Sequence, residues 1–441
     1  MKVKKIAYKV FCSLPDPIQD FIRQILKPIL GTVITFRVKR KVRAITKIVR
    51  EKNRINVLFV VFDASIWKMD SVYQLMEEDD FFIPHIFICP RVNLSKEEMH
   101  GLLDRTYDFF KNRNYRVTSA YDKRTGQWLE LNAAEPDLVF FTTPNGNTLP
   151  QYLPEAYEKF LACYYAYYFM ATCHTGDDKQ IYDKSMFLNA YRVYLPHEYA
   201  MQLYIKYSNN KGKNGYAVGF PAVEPIFLEK ELKRHSRWKE QERWKKKIIY
   251  APHHSFEETG RNIGNFDVYG QFMRDMAIKY KDETQWSFKP HPGLKYRLYN
   301  HPDWGKIKTD KYYSFWENSD NTQLNESDYE RLFIESDAII HDSSSFLVEY
   351  LFTRRPCLYL ENTNLKDVLN EFGKKAINSY ICAKSKNDVE TFIVSVIEDK
   401  ATNPQNDFFE QHLKNYYQEE LPSERIIRDL KESLGGRNID E

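Results

Sequence analysis

The stretch Ser336–Leu360 changes its hydrophobic period twice, and that change constrains the fold more than any other feature of the chain. Ala338–Ile340 is an apolar run bounded by polar residues and too short for a helix. Phe346, Leu347, Tyr350 and Leu351 then recur at helical spacing, and Pro356 leads into a second apolar run, Cys357–Leu360. Strand, helix and strand in that order form a βαβ unit, which requires a parallel sheet. Between the first strand and the helix stand Asp342, Ser343, Ser344 and Ser345. Backbone N–H groups of a first helical turn, with serine hydroxyls beside them, can hold a phosphate. Glu349 lies four residues after Ser345 on the same helix face, where its carboxylate can accept hydrogen bonds from a ribose. A helix cap at Asp342 or Ser343 accounts for one such residue. Three consecutive serines are read as a ligand site.

The rest of the chain repeats this alternation. Ile55–Phe62 reads as a strand opening a parallel sheet. Ser71–Glu78 and Ser95–Asn112 read as helices, the latter with a Ser95/Glu98 capping box. Strands are expected at Ile83–Cys89, Asp137–Thr142, Tyr164–Thr172, Arg192–Leu195 and Tyr216–Gly219. Glu224–Lys247 is highly charged and reads as a linker helix with a solvated face. The pattern restarts with strands at Lys247–Pro252 and Gln285–Lys289, with a helix at Val268–Lys279 between them. Ser327 and Glu330 form a second capping box, and Asp407–Leu434 is mostly helical. The expected class is therefore α/β: two Rossmann-like doubly wound domains facing a cleft. Boundaries fall at 1–53 (basic amphipathic segment), 54–228 (acceptor domain), 229–246 (charged linker), 247–400 (nucleotide domain) and 401–441 (closing helix). No GxGxxG follows the first strand, so a dinucleotide fingerprint is absent there.

Charge is unevenly placed. Residues 1–53 hold 14 Lys/Arg against three acids, a net of +11 in a chain whose total is +3, so the remainder carries −8. Ile18, Phe21, Ile22, Ile25, Leu26, Ile29 and Leu30 trace an amphipathic helix, and Val38, Val42, Ile45 and Val49 continue the spacing among Arg37–Arg50. A basic amphipathic segment suits an anionic membrane surface; packing on the body of the protein or on another subunit is the alternative. Nucleic acid is excluded as a partner, because the body is acidic and no recognition motif accompanies the basic stretch. Six cysteines without a CxxC pair read as reduced thiols. No secretory signal is expected in Met1–Leu14, and no run reaches the ~20 apolar residues of a membrane span. A cytoplasmic protein, peripheral on the inner membrane face, is the expected setting.

Three polar groups follow predicted strands of the second half: His253-His254-Ser255, Lys289-Pro290-His291-Pro292 and Asp342–Ser345. Strand C-termini of an open parallel sheet share one edge, where ligands bind. Lys289 offers a point charge for phosphate and His291 a donor or proton relay, on a backbone stiffened by two prolines. Adjacent side chains diverge in an extended segment, so His253 and His254 are not expected to share a metal, and one of the two faces the ligand. No His/Cys set has zinc spacing. In the first half, His174 follows a predicted strand and reads as a general base, oriented by Asp177 or Asp178. No Asp-x-Asp occurs, so no resident cofactor is assigned, and Mg2+, if used, lacks its usual carboxylate pair. A nucleotide diphosphate would have to be neutralised by hydroxyls, Lys, His and a helix start.

Lys289-Pro290-His291-Pro292 and Asp342–Tyr350 together resemble the basic-x-His-Pro and Asp-aromatic-Ser-Ser motifs of the CDP-glycerol glycerophosphotransferases, the teichoic-acid primase and polymerase family. Gly219-Phe220-Pro221 is similar to the Gly-Tyr-Pro that ends the family's first domain, and Cys173–Gly176 stands where the family has Trp-His-Gly. Ser343 replaces the family's aromatic residue and Glu349 its Asp, and the likeness spans about the middle half of the chain. The resemblance implies a glycosyltransferase-B architecture, a CDP-alditol donor and a lipid-linked or polysaccharide acceptor in cell-surface glycan synthesis. It implies His174 and His291 as catalytic residues, with His253, Lys289, Asp342, Ser343, Ser344, Ser345 and Glu349 on the nucleotide and phosphates. The alternatives are a sugar-nucleotide glycosyltransferase or epimerase of the same architecture, or a non-catalytic glycan-binding scaffold.

Overall fold

The computed structural model describes residues 36, 38–143, 147–153, 160–173, 179–182, 184–228, 236–256, 263–326, 329–362, 364–404 and 407–435. The first half builds a seven-stranded sheet from β1 (Ile55–Val61), β2 (Phe82–Ile88), β3 (Val117–Ser119), β4 (Leu138–Phe141), β5 (Leu161–Tyr165), β6 (Arg192–Leu195) and β7 (Gly215–Ala217). The second half builds a six-stranded sheet from β8 (Lys246–Ala251), β9 (Thr284–Phe288), β10 (Thr322–Leu324), β11 (Ala338–His341), β12 (Cys357–Leu360) and β13 (Ile381–Ala383). Every pairing within the two sheets is parallel. The strand orders are β3-β2-β1-β4-β5-β6-β7 and β10-β9-β8-β11-β12-β13. Each reverses direction beside its first strand, between β1 and β4 and between β8 and β11. Ligands of doubly wound sheets bind in the crevice at such a switch point.

The helices that matter below are α1 (residues 38–50), α2 (Asp70–Glu78), α3 (Lys96–Lys111), α4 (Phe266–Lys279), α5 (Phe346–Glu349), α6 (Glu371–Ile377) and α7 (Pro422–Leu434). The Ser95/Glu98 capping box at α3 forms as expected. Ser327 lies outside the described residues, as do the Ile18–Leu30 helix and His174. In α1 the apolar side faces inward: Val49 is buried, and Val42 and Ile45 pack on the same core. For this part of the basic segment most of the apolar face is therefore spent on the body of the protein, and the outward face is mostly charged, with Ile48 exposed among the basic residues. Among the described residues no helix is long and apolar enough to cross a membrane.

Two expectations are corrected. The strand expected at Tyr164–Thr172 is instead Leu161–Tyr165. Residues 166–173 leave the first sheet and run against the second half, where the Cys173 amide donates to the Val368 carbonyl at 2.8 Å and Thr172 bridges Leu369. The apolar run continued because Phe169 and Ala171 are buried in the cluster shared by both halves and Ala166 and Met170 in the core of the first half, not because they are paired in the sheet. The charged stretch after Glu224 is helical only over Glu224–Phe227, and its described part from Ser236 is an irregular strap on the second sheet. Trp238 is buried there and donates to the Leu332 carbonyl, while Gln285 donates to the Lys239 carbonyl at 2.6 Å. The edge strands β3, β10 and β13, three residues each, are additions that the sequence did not signal.

The halves are joined behind the cleft. Phe169 stacks on Phe352, which meets Tyr417 edge-on at 5.0 Å, all within one apolar cluster drawn from both sheets. Asn370 donates from its amide to the Ala171 carbonyl at 3.1 Å and from its side chain to Met170 at 2.7 Å. From the far end of the chain, α7 returns to the first half. Its Lys431 pairs with Asp79 at 2.8 Å with both buried, and Asp429 accepts from Arg192 and the Tyr194 hydroxyl. Glu224 accepts from the Ser423 amide and hydroxyl at 2.7 Å each, and burial pushes its carboxyl up to about 7.

Candidate active site

The second sheet presents its ligand edge through the loops after β8, β9 and β11, which are neighbours. The loop after β9 is stitched to β8: Lys289 donates from its amide to the Tyr250 carbonyl at 2.8 Å, and His291 to Pro252 at 3.0 Å. Asp342 holds the other side. Its two carboxylate oxygens accept from the backbone amides of His253 at 2.5 Å and Asn265 at 2.6 Å, in a fully buried position. Burial pushes this carboxyl up to about 7 against the pull of those amides. Asp342 thus fixes the loop after β8 and the start of α4 on β11. Its oxygens are occupied by backbone, so it shapes the cradle from beneath.

The imidazoles of His253, His254 and His291 come together above that frame. Ring centroids lie 4.4 Å apart for His253–His254, 5.1 Å for His253–His291 and 4.0 Å for His254–His291. The two adjacent histidines therefore do not diverge, in a segment that leaves the strand after Ala251 and bends at His254. One ligating nitrogen from each ring can be chosen so that all three lie within 4.8 Å of one another, a set able to hold an ion. The hydrogen bonds argue for different chemistry. His291 Nδ1 accepts from the Gly293 amide at 3.0 Å, and His253 Nδ1 accepts from the Ser255 amide at 3.2 Å with the Ser255 hydroxyl 2.8 Å away. In both rings the hydrogen therefore sits on Nε2, which becomes a donor and not a metal ligand. Burial is the main cause that keeps all three neutral, joined by neighbouring rings at His253 and His291 and by the Arg297 guanidinium at His254: His291 falls to about 3, His254 to about 4, and His253 lies well below its ordinary value. His254 Nδ1 is buried and has no hydrogen-bond partner among the described residues.

The serine segment continues the cradle. Ser343 is buried and its hydroxyl accepts from the Ser345 amide at 3.2 Å, while Ser344 and Ser345 are partly exposed at the head of α5. α5 has a single turn of four residues, running on as a 3-10 turn, so its dipole is small. The hydroxyls and ring N–H groups are the main donors. Glu349 ends that turn fully buried: one oxygen is 3.5 Å from Lys68 Nζ, and the other has no partner among the described residues. Lys68 belongs to the loop after β1, so the contact spans the two sheets. It donates to the Tyr329 hydroxyl at 2.6 Å and lies 4.0 Å over that ring. Lys289, also buried, donates to Asn325 at 3.2 Å and lies 5.9 Å from the same Tyr329 ring. Arg91, after β2, reaches close enough to His291 to oppose its protonation, and pairs with Asp63 at 3.4 Å.

The residues predicted in the second half thus converge on one edge, while His174 lies outside the described residues. Lys68 and Arg91 were missed. The rule that located His253 and Lys289, polar groups just past a strand C-terminus, applies equally to β2 and would have marked Arg91, whereas Lys68 stands beyond the 3-10 turn Ala64–Ile66 that follows β1 and carries no such signal.

No family model matches this sequence, and no curated protein does. Solved structures match nearly end to end. A UDP co-structure of MnaA from S. aureus is 14% identical, with a TM-score of 0.54 over 87% of this chain and 98% of that one. The UDP-GlcNAc 2-epimerase from Neisseria meningitidis bound to UDP-GlcNAc is 15% identical, with a TM-score of 0.51 over 86% of this chain and 100% of its own. The wall teichoic acid polymerase TagF, in a CDPG soak, is 12% identical, with a TM-score of 0.51 over 94% of this chain and 98% of that one. The fold is of glycosyltransferase-B type. At these identities the likeness is one of fold.

Proposed function

We propose that this protein transfers an alditol-phosphate group from a CDP-activated donor to a lipid-linked or polysaccharide acceptor in cell-surface glycan synthesis. The observation that carries the reading is the cradle at the β8/β11 switch point. Two neutral imidazoles fixed as Nε2–H donors, the serine hydroxyls and Lys289 share one sheet edge as candidate donors to a diphosphate, and Glu349 carries a buried oxygen with no partner among the described residues, suited to a ribose. The Lys-Pro-His-Pro and Asp-Ser-Ser-Ser motifs favour a CDP-alditol as donor, and one fold neighbour is a polymerase soaked with CDPG. In this reading an acceptor hydroxyl attacks the β-phosphorus and CMP leaves. His174 takes the hydroxyl proton, while His291 and Lys289 stabilise the charge that gathers on the phosphates.

A second reading is a sugar-nucleotide 2-epimerase, favoured by the UDP-GlcNAc 2-epimerases among the fold neighbours. A nucleotide panel separates them, because a ligand that binds only the folded state raises its melting temperature. CDP stabilising above UDP and GDP, with CMP released from CDP-glycerol in the presence of acceptor, is the expected result. Preferential stabilisation by UDP would replace this reading with the epimerase. No response to any nucleotide would leave a non-catalytic module.

A further inference from the structure

A second site lies on the opposite edge of the first domain. A cavity of about 540 Å³ opens between α1, the beginning of β6 and the end of α7, lined among others by Arg43, Thr46, Lys47, Arg50, Arg192 and Ser433. Arg192 is the first residue of its strand. Strands of a parallel sheet begin at the edge opposite the one where their ligand loops emerge, so this cavity is remote from the cleft.

Arg43, Lys47 and Arg50 stand at i, i+4 and i+7 of α1, on one face. That face is held in place. Val49 is buried, Val42 and Ile45 pack on the core, and the Arg50 Nε donates to the Ser433 carbonyl at 2.9 Å. Arg192 is compensated by Asp429 at 2.8 Å and packs over the Tyr191 ring at 4.3 Å. Among the described residues no ion pair engages Arg43 or Lys47, and Glu51 is the one acidic side chain of the lining. The cavity therefore carries an excess of cationic side chains, while its hydroxyls are engaged within their own helices, Thr46 donating to the Val42 carbonyl at 2.8 Å and Ser433 to the Leu430 carbonyl at 3.3 Å.

We infer that this cavity binds a phosphate-bearing anion. Guanidinium groups match phosphate oxygens with paired donors, and Lys47 adds a point charge. The inference is independent of the chemistry proposed for the cleft. Phosphate can be supplied by a lipid headgroup or by a soluble phosphate ester. An anionic lipid surface would meet α1 chiefly through charge, with the exposed Ile48 beside the cations and Val49 buried on the body of the protein.

The test uses the full chain, the R43Q/K47Q variant, and K4Q/K5Q as a control that removes equal charge elsewhere. Binding is measured to vesicles of phosphatidylglycerol with phosphatidylcholine and of phosphatidylcholine alone, and thermal shift is measured with glycerol 3-phosphate. Arg43 and Lys47 are exposed, and unliganded melting temperatures equal to wild type confirm folding of both variants. Vesicle affinity falling about tenfold or more in R43Q/K47Q, and no more than about twofold in K4Q/K5Q, assigns the headgroup as ligand. A glycerol phosphate shift lost in R43Q/K47Q with vesicle binding unchanged assigns the soluble ester. Equal losses in both variants, or no loss with either probe, overturn the site. A cleft that fails the nucleotide panel leaves these outcomes unaffected.

Discussion

Lys68 and Glu349 are separated by most of the chain, yet Nζ and Oε2 lie 3.5 Å apart with both side chains buried, one from each sheet. A buried pair is costly to break because the surviving charge stays desolvated. Lys68→Met is therefore expected to cost about 3–5 kcal/mol, read from urea unfolding, while K68M/E349Q recovers most of that loss by removing the stranded carboxylate. Strictly additive costs across the double-mutant cycle would show that the two groups do not depend on each other.

Asp342 is expected to behave as a framework residue. Asp342→Ala orphans the amides of His253 and Asn265 and should cost about 2–4 kcal/mol, since two buried backbone donors lose their acceptor. Asp342→Asn keeps one acceptor oxygen and should cost less. In both variants nucleotide-induced stabilisation should weaken along with the fold. A full-strength nucleotide response in a clearly destabilised Asp342→Ala would detach the cradle from this residue.

The sheet edge was legible in the sequence because apolar runs, their lengths and the polar residues behind them are local signals. His253, Lys289, His291 and the serines could be placed together from strand order alone. What each one does was not legible. The tautomers of His253 and His291 depend on the amides of Ser255 and Gly293, two residues on, and the occupation of Asp342 depends on an amide from α4. Lys68 has no local pattern at all, since its meaning comes from Glu349 in the other sheet. The strand expected to run to Thr172 failed for a related reason: burial between two domains writes the same apolar signal as burial in a sheet.

The neutral imidazoles give a pH dependence whose sign can be worked out. His254 and His291 titrate at about 4 and about 3 in the native protein, against an unperturbed value of about 6.5. Below about 6.5 the unfolded chain takes up protons that the native rings refuse, so their contribution is lost as pH falls from there toward the native values. Asp342 and Glu224, held near 7, act in the opposite sense, because the native state keeps their protons longer on the way up from the ordinary carboxylate range. The wild-type profile is thus flattened by compensation, and a variant isolates the ring. His291→Asn should lose about 1–2 kcal/mol less than wild type between pH 7 and pH 5, by urea unfolding at each pH, after discounting for partial exposure. Identical losses would mean that His291 is not held neutral.

The seam between the domains offers a steric test. A Cβ on Gly373 in α6 would fall on the Ala171 carbonyl oxygen, and backbone cannot yield as a flexible side chain can. The same stretch carries the Asn370 bonds to Met170 and Ala171, so the clash is delivered where the first domain leans on the second. Gly373→Ala should therefore destabilise by about 1–3 kcal/mol, the usual range for overpacking. The loss should be local in origin. Hydrogen exchange should accelerate first at the amides of Cys173, Asn370 and Gly373, whose acceptors lie along this seam, while the β8 and β11 amides keep their protection. Uniform acceleration through both sheets would indicate instead that the two domains unfold as one cooperative unit.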